Sequence, residues 1–310
     1  MDRHAVVTGA FSYIGAAVAR ELRSRGWQVH TLTRRRAPPG VTSETASDLR
    51  FDADHLEKEL RGADAFVNTY WIRFPQAGQD FGMAVEYSHQ LIEAARRAGV
   101  RRLVHVSVCN AARESRLGYY RGKALVEDAV RAAGVSFAIV RPTLVVGPSD
   151  VLPGNIAWFL RRFPVFPVPG GGHYRLQPVT LQDTGRIVAN AVESDQDLEV
   201  DAAGQETMSF CEYVRLVARA CGVRRLILPT PTWLSLGTLR LVETWLHDVV
   251  LTREELDGLE QELLVSRSPG LGRESVGRWL MDHGGALGRS YVNDRERHFG
   301  SGHSKPILVP

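Results

Sequence analysis

The sequence predicts an α/β protein with a doubly wound parallel Rossmann sheet and a smaller, mainly helical C-terminal substrate lobe. Short β-branched runs alternate with longer stretches of helical periodicity, as in a parallel sheet that helices cover on both faces. A glycine pair directly follows the first of these runs. Near Asp150 the rhythm changes, and prolines and glycines become frequent. The change separates a dinucleotide-binding domain at 1–150 from the remainder of the chain.

The elements of the predicted α/β pattern follow from the periodicity of apolar residues. We predict strands at Ala5–Thr8, Gln28–Thr33, Ala65–Thr69, Leu103–Val108, Phe137–Val140 and Leu198–Asp201. We predict helices at Ile14–Arg25, His55–Leu60, Phe81–Ala98, Tyr119–Ala133 and Leu181–Ser194. Glycines stand just past four of these helical stretches, where a left-handed residue closes a helix.

Residues 151–299 are predicted to form a substrate-binding and lid lobe with some strands returning to the core, and residues 300–310 a disordered tail. Phe163–Gly172 has the composition of a loop. Further helices are expected at Phe210–Cys221, Thr232–His247, Arg253–Val265 and Glu274–Gly288. Prolines and charges interrupt the apolar stretch 226–251, so it does not predict a transmembrane segment. It is either an amphipathic lid over the substrate cleft or a docking surface for a partner or membrane.

Composition narrows the function classes. Lysine plus arginine number 38 against 35 aspartates plus glutamates, which gives no electrostatic case for a nucleic-acid partner. The three cysteines are widely spaced and the histidines scattered, so we predict reduced thiols and no metal site. Because the chain enters a predicted strand almost at once, we expect no signal peptide and a cytoplasmic location. A small-molecule substrate is the expected partner.

The segment AVVTGAFSYIG predicts a phosphate-binding turn between the first strand and the first helix. Glycines let the chain turn tightly and let its backbone approach a pyrophosphate, and the helix N-terminus offers free N–H groups to the negative charge. An ordinary tight turn is the alternative. The predicted cofactor contacts in this segment are Gly9, Phe11, Ser12, Tyr13, Ile14 and Gly15.

The end of the second predicted strand indicates which nucleotide is bound. NAD-binding proteins usually carry an acidic residue there, which holds the ribose 2′-hydroxyl. This chain has Arg34, Arg35 and Arg36 after Thr33. A guanidinium can form paired hydrogen bonds with a 2′-phosphate, so NADP(H) is favoured over NAD(H), with Arg34 as the predicted ligand. The alternative is that these arginines only solvate a loop.

Tyr119, Lys123 and Ser107 form a candidate catalytic set. Tyr119 and Lys123 stand four residues apart on one predicted helix face. A lysine ammonium beside a tyrosine favours the phenolate and lowers the tyrosine pKa. Ser107, at the end of a predicted strand, is placed to hydrogen-bond a substrate carbonyl. With eight tyrosines and three lysines in the chain, chance gives about 0.08 such pairs. The alternative is an exposed aromatic beside a surface charge.

With these residues the chain resembles the short-chain dehydrogenase/reductase superfamily, in its extended or atypical, NAD-dependent epimerase/dehydratase-like branch. It is most similar to the subgroup of the nucleotide-binding accessory subunit of respiratory complex I. The matching segments are TGAFSYIG (8–15), GADAFVNT (62–69), AARRAGVRRLVHVSV (94–108), YYRGKALVE (119–127) and RPTLVVGP (141–148). One departure is Ser12, which replaces the middle glycine of the family's turn. We expect nucleotide binding to survive it.

The resemblance implies further site residues. Asn68, Thr69, Pro142 and Thr143 would lie beside the cofactor, and Asp52 near the adenine. It also implies Ser107, Tyr119 and Lys123 as the catalytic trio. Relatives often pair through helices equivalent to residues 81–98 and 119–133, which makes a homodimer an expectation.

The predicted function is an NADP(H)-dependent oxidoreductase acting on a carbonyl or alcohol of a small molecule. Alternatives are an epimerase or dehydratase that retains its nucleotide, and a non-catalytic nucleotide-holding scaffold or redox sensor. Residues near a sheet edge and in a glycine-rich flap are candidates for the substrate pocket, with ordinary packing or a surface turn as the alternative. They are Tyr70, Trp71, Arg73, His173 and Tyr174.

Overall fold

The computed structural model describes residues 3–37, 45–76, 78–233, 235, 237, 243–244 and 246–293. They form two compact units. The first contains the described residues up to Pro142 together with Leu181–Ala202, and the second contains Thr143–Thr180 and the described residues from Ala203 onward. The role of the second unit in substrate binding stays a prediction, and the predicted tail lies outside the described residues.

The chain contains strands and helices in alternation. The strands are β1 (Arg3–Thr8), β2 (Trp27–Thr33), β3 (Ala46–Asp48), β4 (Ala65–Asn68), β5 (Arg102–Val106), β6 (Ser136–Pro142), β7 (Leu144–Val146), β8 (Val165–Pro169), β9 (Arg175–Leu176), β10 (Pro178–Thr180), β11 (Leu198–Ala202), β12 (Met208–Ser209) and β13 (Leu226–Thr230). The helices described are α1 (Tyr13–Ser24), α2 (Ala53–Leu60), α3 (Phe81–Arg97), α4 (Gly118–Ala132), α5 (Val151–Arg162), α6 (Leu181–Glu193), α7 (Phe210–Ala220), α8 (Arg253–Glu260) and α9 (Val276–His283).

The first unit is built on a seven-stranded sheet in the order β11-β6-β5-β4-β1-β2-β3, with every pair parallel. Alternate strand residues pack against α1 and α6 on one face and against α2, α3 and α4 on the other. Both faces are therefore apolar, as parallel sheets covered on two sides require. The predicted fold class is confirmed.

β1 marks the topological switch point of this sheet. It pairs with β2 on one side and with β4 on the other, so the chain reverses its direction of winding there. In open α/β sheets, ligands bind beyond the carboxyl ends of the strands at this point. A ligand site is therefore expected among the residues that follow β1, β2, β4 and β5.

The second unit contains α5, α7, α8 and α9 with three two-stranded pairs: β7 with β10, β8 with β13 and β9 with β12. The prediction of a loop at Phe163–Gly172 was wrong, because Val165–Pro169 pairs in parallel with Leu226–Thr230. Prolines are compatible with strands that keep one edge unpaired. Much of the predicted helix 232–247 lies outside the described residues. Of the helices that are described, none has the length and apolarity needed to cross a membrane.

Candidate functional site

Two glycines shape the turn after β1. Gly9 has a φ of +66°, which favours glycine. Gly15 lies in the first turn of α1, where an added Cβ would stand 2.2 Å from the carbonyl oxygen of Gly9. Only a glycine at position 15 lets the helix approach the turn this closely. The local sequence thus brings the N-terminus of α1 to the switch point of the sheet.

The amino end of α1 is open to an anion. Ser12 occupies the N-cap position without a side-chain cap, and the first turn carries no acidic residue. The Ser12 hydroxyl donates a hydrogen bond of 2.5 Å to the Gly9 carbonyl, so it is engaged within the turn itself. Phe11 is buried, while Tyr13 and Ile14 are half-buried. The helix N-terminus therefore keeps its partial positive charge, which suits a phosphate.

Hydrogen bonds between Thr8 and Thr69 join the ends of β1 and β4. The Thr69 N–H donates to Thr8 Oγ1 at 2.7 Å, and Thr69 Oγ1 donates to the Thr8 carbonyl at 2.5 Å. Asn68 is fully buried, and its Oδ1 accepts from the Tyr70 N–H at 3.0 Å. The Asn68 Nδ2 group has no hydrogen-bond partner among the described residues. A buried donor of this kind is costly unless a ligand satisfies it.

A cleft of about 820 Å³ opens beyond the ends of β2 and β3. Its lining is strongly basic, with four arginines and one carboxylate. These charged residues are Arg34, Arg35, Arg36, Arg50 and Asp48. Phe11, Leu49, Phe51 and Tyr87 provide apolar surface. An elongated ligand with an anionic group and a flat ring system fits this combination of charge and aromatic surface.

Arg34 is held in place at the cleft. Its Nε donates to the Leu49 carbonyl at 3.1 Å, and its guanidinium lies 5.4 Å from the centre of the Phe51 ring. Phe51 stacks on Tyr87 with ring centres 3.9 Å apart and planes 7° from parallel. Because a carbonyl and a ring position the guanidinium, little side-chain freedom remains to be lost when a ligand binds.

Asp52 does not line this cleft. Its side chain caps α2 by accepting from the His55 N–H at 2.8 Å. Asp48 and Leu49 line the cleft instead, at the end of β3. They were missed because the three-residue strand β3 was not predicted. The signal available in the sequence was a short extended run that ends in a polar residue, Asp48, followed by Leu49.

Lys123 is buried at the carboxyl end of β5. Its side chain is 3% exposed, and its Nζ donates to the Val106 carbonyl at 2.8 Å. The same Nζ lies 4.6 Å from the centre of the Trp71 ring. Gly122 leaves room for that ring, since an added Cβ would stand 2.9 Å from it. Burial lowers the pKa of Lys123 to about 7, against the opposing effect of Glu127.

Ser107 and Tyr119 are the other two members of the candidate catalytic set. Ser107 follows β5 directly, its N–H donates to the Val140 carbonyl at 2.8 Å, and its buried Oγ has no hydrogen-bond partner in the described part of the chain. Tyr119 is half-buried. Its ring meets Trp71 edge-to-face with centres 6.0 Å apart, and Phe81 in the same manner at 5.9 Å. The strand end and the first turns of α4 thus carry a serine, a tyrosine and a buried ammonium.

A buried ion pair lies one helical turn beyond Lys123. Glu127 is 2% exposed and accepts two hydrogen bonds from Arg141 of β6, at 2.8 and 2.6 Å. Arg131 donates to the same carboxylate at 3.0 Å. The side-chain bonds to Glu127 raise the pKa of Arg141. This pair fixes α4 against the sheet and places a negative charge on the Lys123 side of the helix.

The other predicted substrate-pocket residues of the first unit, and the predicted cofactor contact Pro142, pack in different places. Tyr70 packs edge-to-face on Phe51, a residue of the cleft, with ring centres 5.0 Å apart, and burial raises the pKa of Tyr70 to about 12; Tyr70 itself does not line the cleft. The Arg73 guanidinium lies 5.4 Å from the Phe74 ring centre. Pro142 ends β6, and its carbonyl accepts from the Cys109 N–H at 2.9 Å. Trp71 is the predicted pocket residue that packs on Tyr119.

Three predicted site residues belong to the second unit. Thr143 is buried and its hydroxyl donates to the Gln177 carbonyl. His173 is exposed beside the glycine turn 170–172. Tyr174 is 7% exposed and stacks on Phe210 with ring centres 5.5 Å apart, in the apolar core of this unit. The assignments of these residues to a cofactor or substrate site stay predictions.

The parallel sheet and the glycine turn are those of a Rossmann protein, and the similar proteins place it in the extended short-chain dehydrogenase/reductase branch, among NAD(P)-dependent proteins of oxidoreductase or epimerase type. The chain belongs to the NmrA-like family, whose model matches residues 1–225. The resemblance to the extended branch is thereby confirmed.

Three curated relatives share 25–33% sequence identity with this chain. Ceramide reductase of Caulobacter vibrioides is 29% identical over 249 residues, 77% of either chain. Sterol demethylase protein B of Methylococcus capsulatus is 33% identical over 49% of this chain and 54% of that one. Subunit 9 of the alpha subcomplex of mitochondrial NADH dehydrogenase from Arabidopsis thaliana is 25% identical over 62% and 50%. The chain spans about half the length of the latter two.

Solved structures share the fold at low identity. Triphenylmethane reductase of a Citrobacter species, complexed with NADP(H), superposes with a TM-score of 0.72 and 14% identity over 91% of this chain and 99% of that one. A nucleoside-diphosphate-sugar epimerase from Staphylococcus aureus gives a TM-score of 0.71, also at 14% identity, over 91% and 100%. Identities this low show the fold alone.

Proposed function

We propose that this protein is an NADP(H)-dependent oxidoreductase that acts on a carbonyl or alcohol of an apolar small molecule through Ser107, Tyr119 and Lys123. The observation that carries the proposal is the position of Lys123. Its buried Nζ is bonded to the strand end that precedes Ser107, one helical turn from Tyr119. A buried ammonium is expensive, so its retention at this point favours a chemical role.

The residues of the first unit fit a dinucleotide phosphate. The glycine turn and the open end of α1 suit the pyrophosphate, and Arg34 with its arginine neighbours suits the adenosine 2′-phosphate. The buried donor of Asn68 is available to the nucleotide at the switch point. The nicotinamide of the bound cofactor supplies or accepts the hydride. We therefore propose NADP(H) in preference to NAD(H).

Three side chains share the work on the substrate oxygen. The Ser107 hydroxyl, which has no partner in the described part of the chain, donates a hydrogen bond to the carbonyl oxygen and orients it. The Tyr119 hydroxyl gives its proton to that oxygen as the alcohol forms, and takes the proton back in the oxidation direction. The Lys123 ammonium stabilises the phenolate that is left on Tyr119.

The surroundings of Tyr119 favour an apolar substrate. Trp71 and Phe81 stack with ring centres 6.2 Å apart, and both make T-shaped contacts with the Tyr119 ring. Aromatic faces contribute large apolar contact area and little charge. The bacterial relative called ceramide reductase, similar over 77% of both chains, points to the same substrate class.

Tyr119→Phe tests the proposal. NADPH oxidation is followed with long-chain aliphatic, steroid and aryl ketones. The variant is expected to lower kcat by about 10²- to 10⁴-fold, the usual contribution of a general acid. The dissociation constant of NADPH should stay within about twofold, since the hydroxyl contributes little to ground-state cofactor binding. Tyr120→Phe is the matched control, because it removes a hydroxyl from the neighbouring, buried tyrosine.

Three outcomes would contradict the assignment. Undiminished turnover in Tyr119→Phe removes the tyrosine from the chemistry. An equal loss in Tyr120→Phe indicates a structural effect on α4. Nucleotide that co-purifies and is never oxidised by any ketone favours an epimerase or a nucleotide-holding scaffold.

A further inference from the structure

The strand pair β8/β13 of the second unit has an apolar outer face. Phe166, Val168 and Ile227 point inward and pack in the core of the unit. The alternate residues Val165, Pro167, Leu226 and Leu228 point outward and are exposed. We call these four residues the β8–β13 face. A sheet with one face in water normally carries polar side chains there, so this face is unusual.

The face continues beyond both ends of the strands. Leu226 is 57% exposed and Leu228 40%, and Phe163, just before β8, is also 40% exposed. Trp233 stands three residues beyond β13 and is 75% exposed. Single exposed apolar residues are ordinary, but four of them on paired strands, with an exposed phenylalanine and tryptophan close by in the sequence, mark a surface that is covered in use.

Arginines surround the amino end of this face. Arg225 immediately precedes β13, and its Nε donates to the Leu160 carbonyl at 2.8 Å. Arg162 is linked to the Gly288 and Arg289 carbonyls at 3.2 and 3.3 Å. We call the group the arginine rim; its members are Arg161, Arg162, Arg224, Arg225 and Arg289.

The arginine rim keeps its positive charge unneutralised. Where its side-chain hydrogen bonds are described, the partners are backbone carbonyls and, for Arg161, also the Cys221 thiol; none of its members forms an ion pair with a described carboxylate. Arg162, Arg224, Arg225 and Arg289 are exposed. Backbone carbonyls fix the guanidinium groups without cancelling their charge, so the rim presents several cations beside an apolar surface.

We propose that the β8–β13 face docks on the surface of an anionic lipid bilayer. Its apolar side chains would enter the boundary between headgroups and acyl chains, and the arginine rim would contact lipid phosphates. Tryptophan and arginine are residues that suit this boundary, because each joins an apolar body to a polar end. Such docking would hold the protein at the membrane without a spanning segment.

Charge distinguishes the bilayer from a second copy of this chain. In a twofold dimer the same patch lies on both partners, so one arginine rim would be brought close to the other. Repulsion between unpaired cations opposes that arrangement, whereas lipid phosphates neutralise them. The inference does not depend on nucleotide binding or on the residues of α4.

Vesicle co-sedimentation of the full chain tests the inference. The probes are vesicles of pure phosphatidylcholine and vesicles with about 30 mol% phosphatidylglycerol. One variant is the double substitution Leu226→Ser with Leu228→Ser, and another is Arg224→Glu. Matched controls are Leu271→Ser and Arg253→Glu, because Leu271 is 44% exposed and the Arg253 side chain is 79% exposed, both outside the face and the rim. Thermal melts and NADPH titration verify folding.

The wild type should bind the anionic vesicles and leave the neutral ones largely unbound. Arg224→Glu should weaken binding about 25-fold, from about fivefold per unit of charge near an anionic surface. The leucine double variant should weaken it by more than about tenfold, and the controls should be unchanged. Equal binding to neutral vesicles, or no binding to either, overturns the proposal. So does a wild-type dimer that the leucine variant dissociates, because the face would then be an interface between copies.

Discussion

Replacing Arg34 by alanine is expected to weaken NADPH binding roughly 10- to 100-fold and to leave NADH binding almost unchanged. A hydrogen bond between a guanidinium and a phosphate contributes about 1.5–3 kcal/mol. The structure favours the full value, since the Leu49 carbonyl and the Phe51 ring already position the guanidinium at 3.1 and 5.4 Å. NADH lacks the 2′-phosphate and therefore loses only a weak contact.

Isothermal titration with each nucleotide, at low and at high salt, measures this difference. Because Arg34 is exposed, salt should screen its attraction for the phosphate. The NADPH affinity of the wild type should therefore fall with ionic strength more steeply than that of Arg34→Ala. Arg96→Ala is the matched control: Arg96 is an exposed arginine of α3 that pairs with Glu93 and does not line the cleft.

Charge reversal gives the sharper version of the experiment. Arg34→Asp should invert the preference, because a carboxylate repels the 2′-phosphate and can accept a hydrogen bond from the 2′-hydroxyl of NADH. An equal loss for both nucleotides in Arg34→Ala would mean that Arg34 supports the adenine or the fold of the cleft. No loss for either would refute the placement of the 2′-phosphate beside this residue.

The remaining predictions concern the turn and the region around α4. Gly15→Ala should abolish stabilisation by NADPH in thermal melts, because the new Cβ would stand 2.2 Å from the Gly9 carbonyl; an undiminished shift of the melting temperature would contradict it. Lys123→Met should abolish turnover yet raise the free energy of unfolding by about 1–3 kcal/mol at pH 7, since burial has lowered the lysine pKa from 10.5 to about 7. Between pH 7 and 10 the folded wild type binds fewer protons than the unfolded chain does, so its free energy of unfolding rises with pH. Denaturant titrations should therefore show that the stability difference between Lys123→Met and the wild type shrinks over this range. Glu127→Gln should move the alkaline limb of kcat/KM to lower pH, because the carboxylate charge that it removes holds the Lys123 pKa up; the control Glu199→Gln should leave the limb in place.

The main sheet could be predicted because its strands obey simple periodicity. Each predicted strand of the first domain is present, with ends that differ by one or two residues, as for Ala5–Thr8 against Arg3–Thr8. The ends of the covering helices are also marked by recognisable residues. Gly99, just after α3, has a φ of +71°, which suits the residue that closes a helix. Local rules suffice here because the sequence pattern of each segment and its burial in the fold favour the same secondary structure.

The elements that were missed depend on distant partners. β3 has only three residues and exists because it pairs with the end of β2. β8 contains two prolines and is a strand because β13 lies beside it, about 60 residues further along the chain. Neither pairing leaves a periodic signal in its own segment. Tertiary pairing overrides local propensity in both cases.

The candidate site shows the same division. The glycine turn, Tyr119 and Lys123 follow from spacing within a short segment. The burial of Lys123 does not, because it requires Trp71 from another loop to cover the lysine and Gly122 to leave space for the ring. Asp48 and Leu49 enter the cleft through the register of β3 with β2. The residue types of the candidate site could be predicted from the sequence, whereas the neighbours that surround them depended on the fold.

The fold leaves two placements of side chains unexplained: a lysine that is buried and a group of apolar side chains that is exposed. Lys123 is a charge inside the first unit, and the β8–β13 face is apolar surface outside the second. Burying an ammonium group and exposing apolar side chains both cost free energy in an isolated chain. Sequences keep such features where a ligand or a surface offsets their cost. In the roles proposed above, a substrate oxygen and the phenolate of Tyr119 would offset the cost of Lys123, and a bilayer would offset that of the face. The stability gain of Lys123→Met and the vesicle binding of the wild type therefore test one principle at two places.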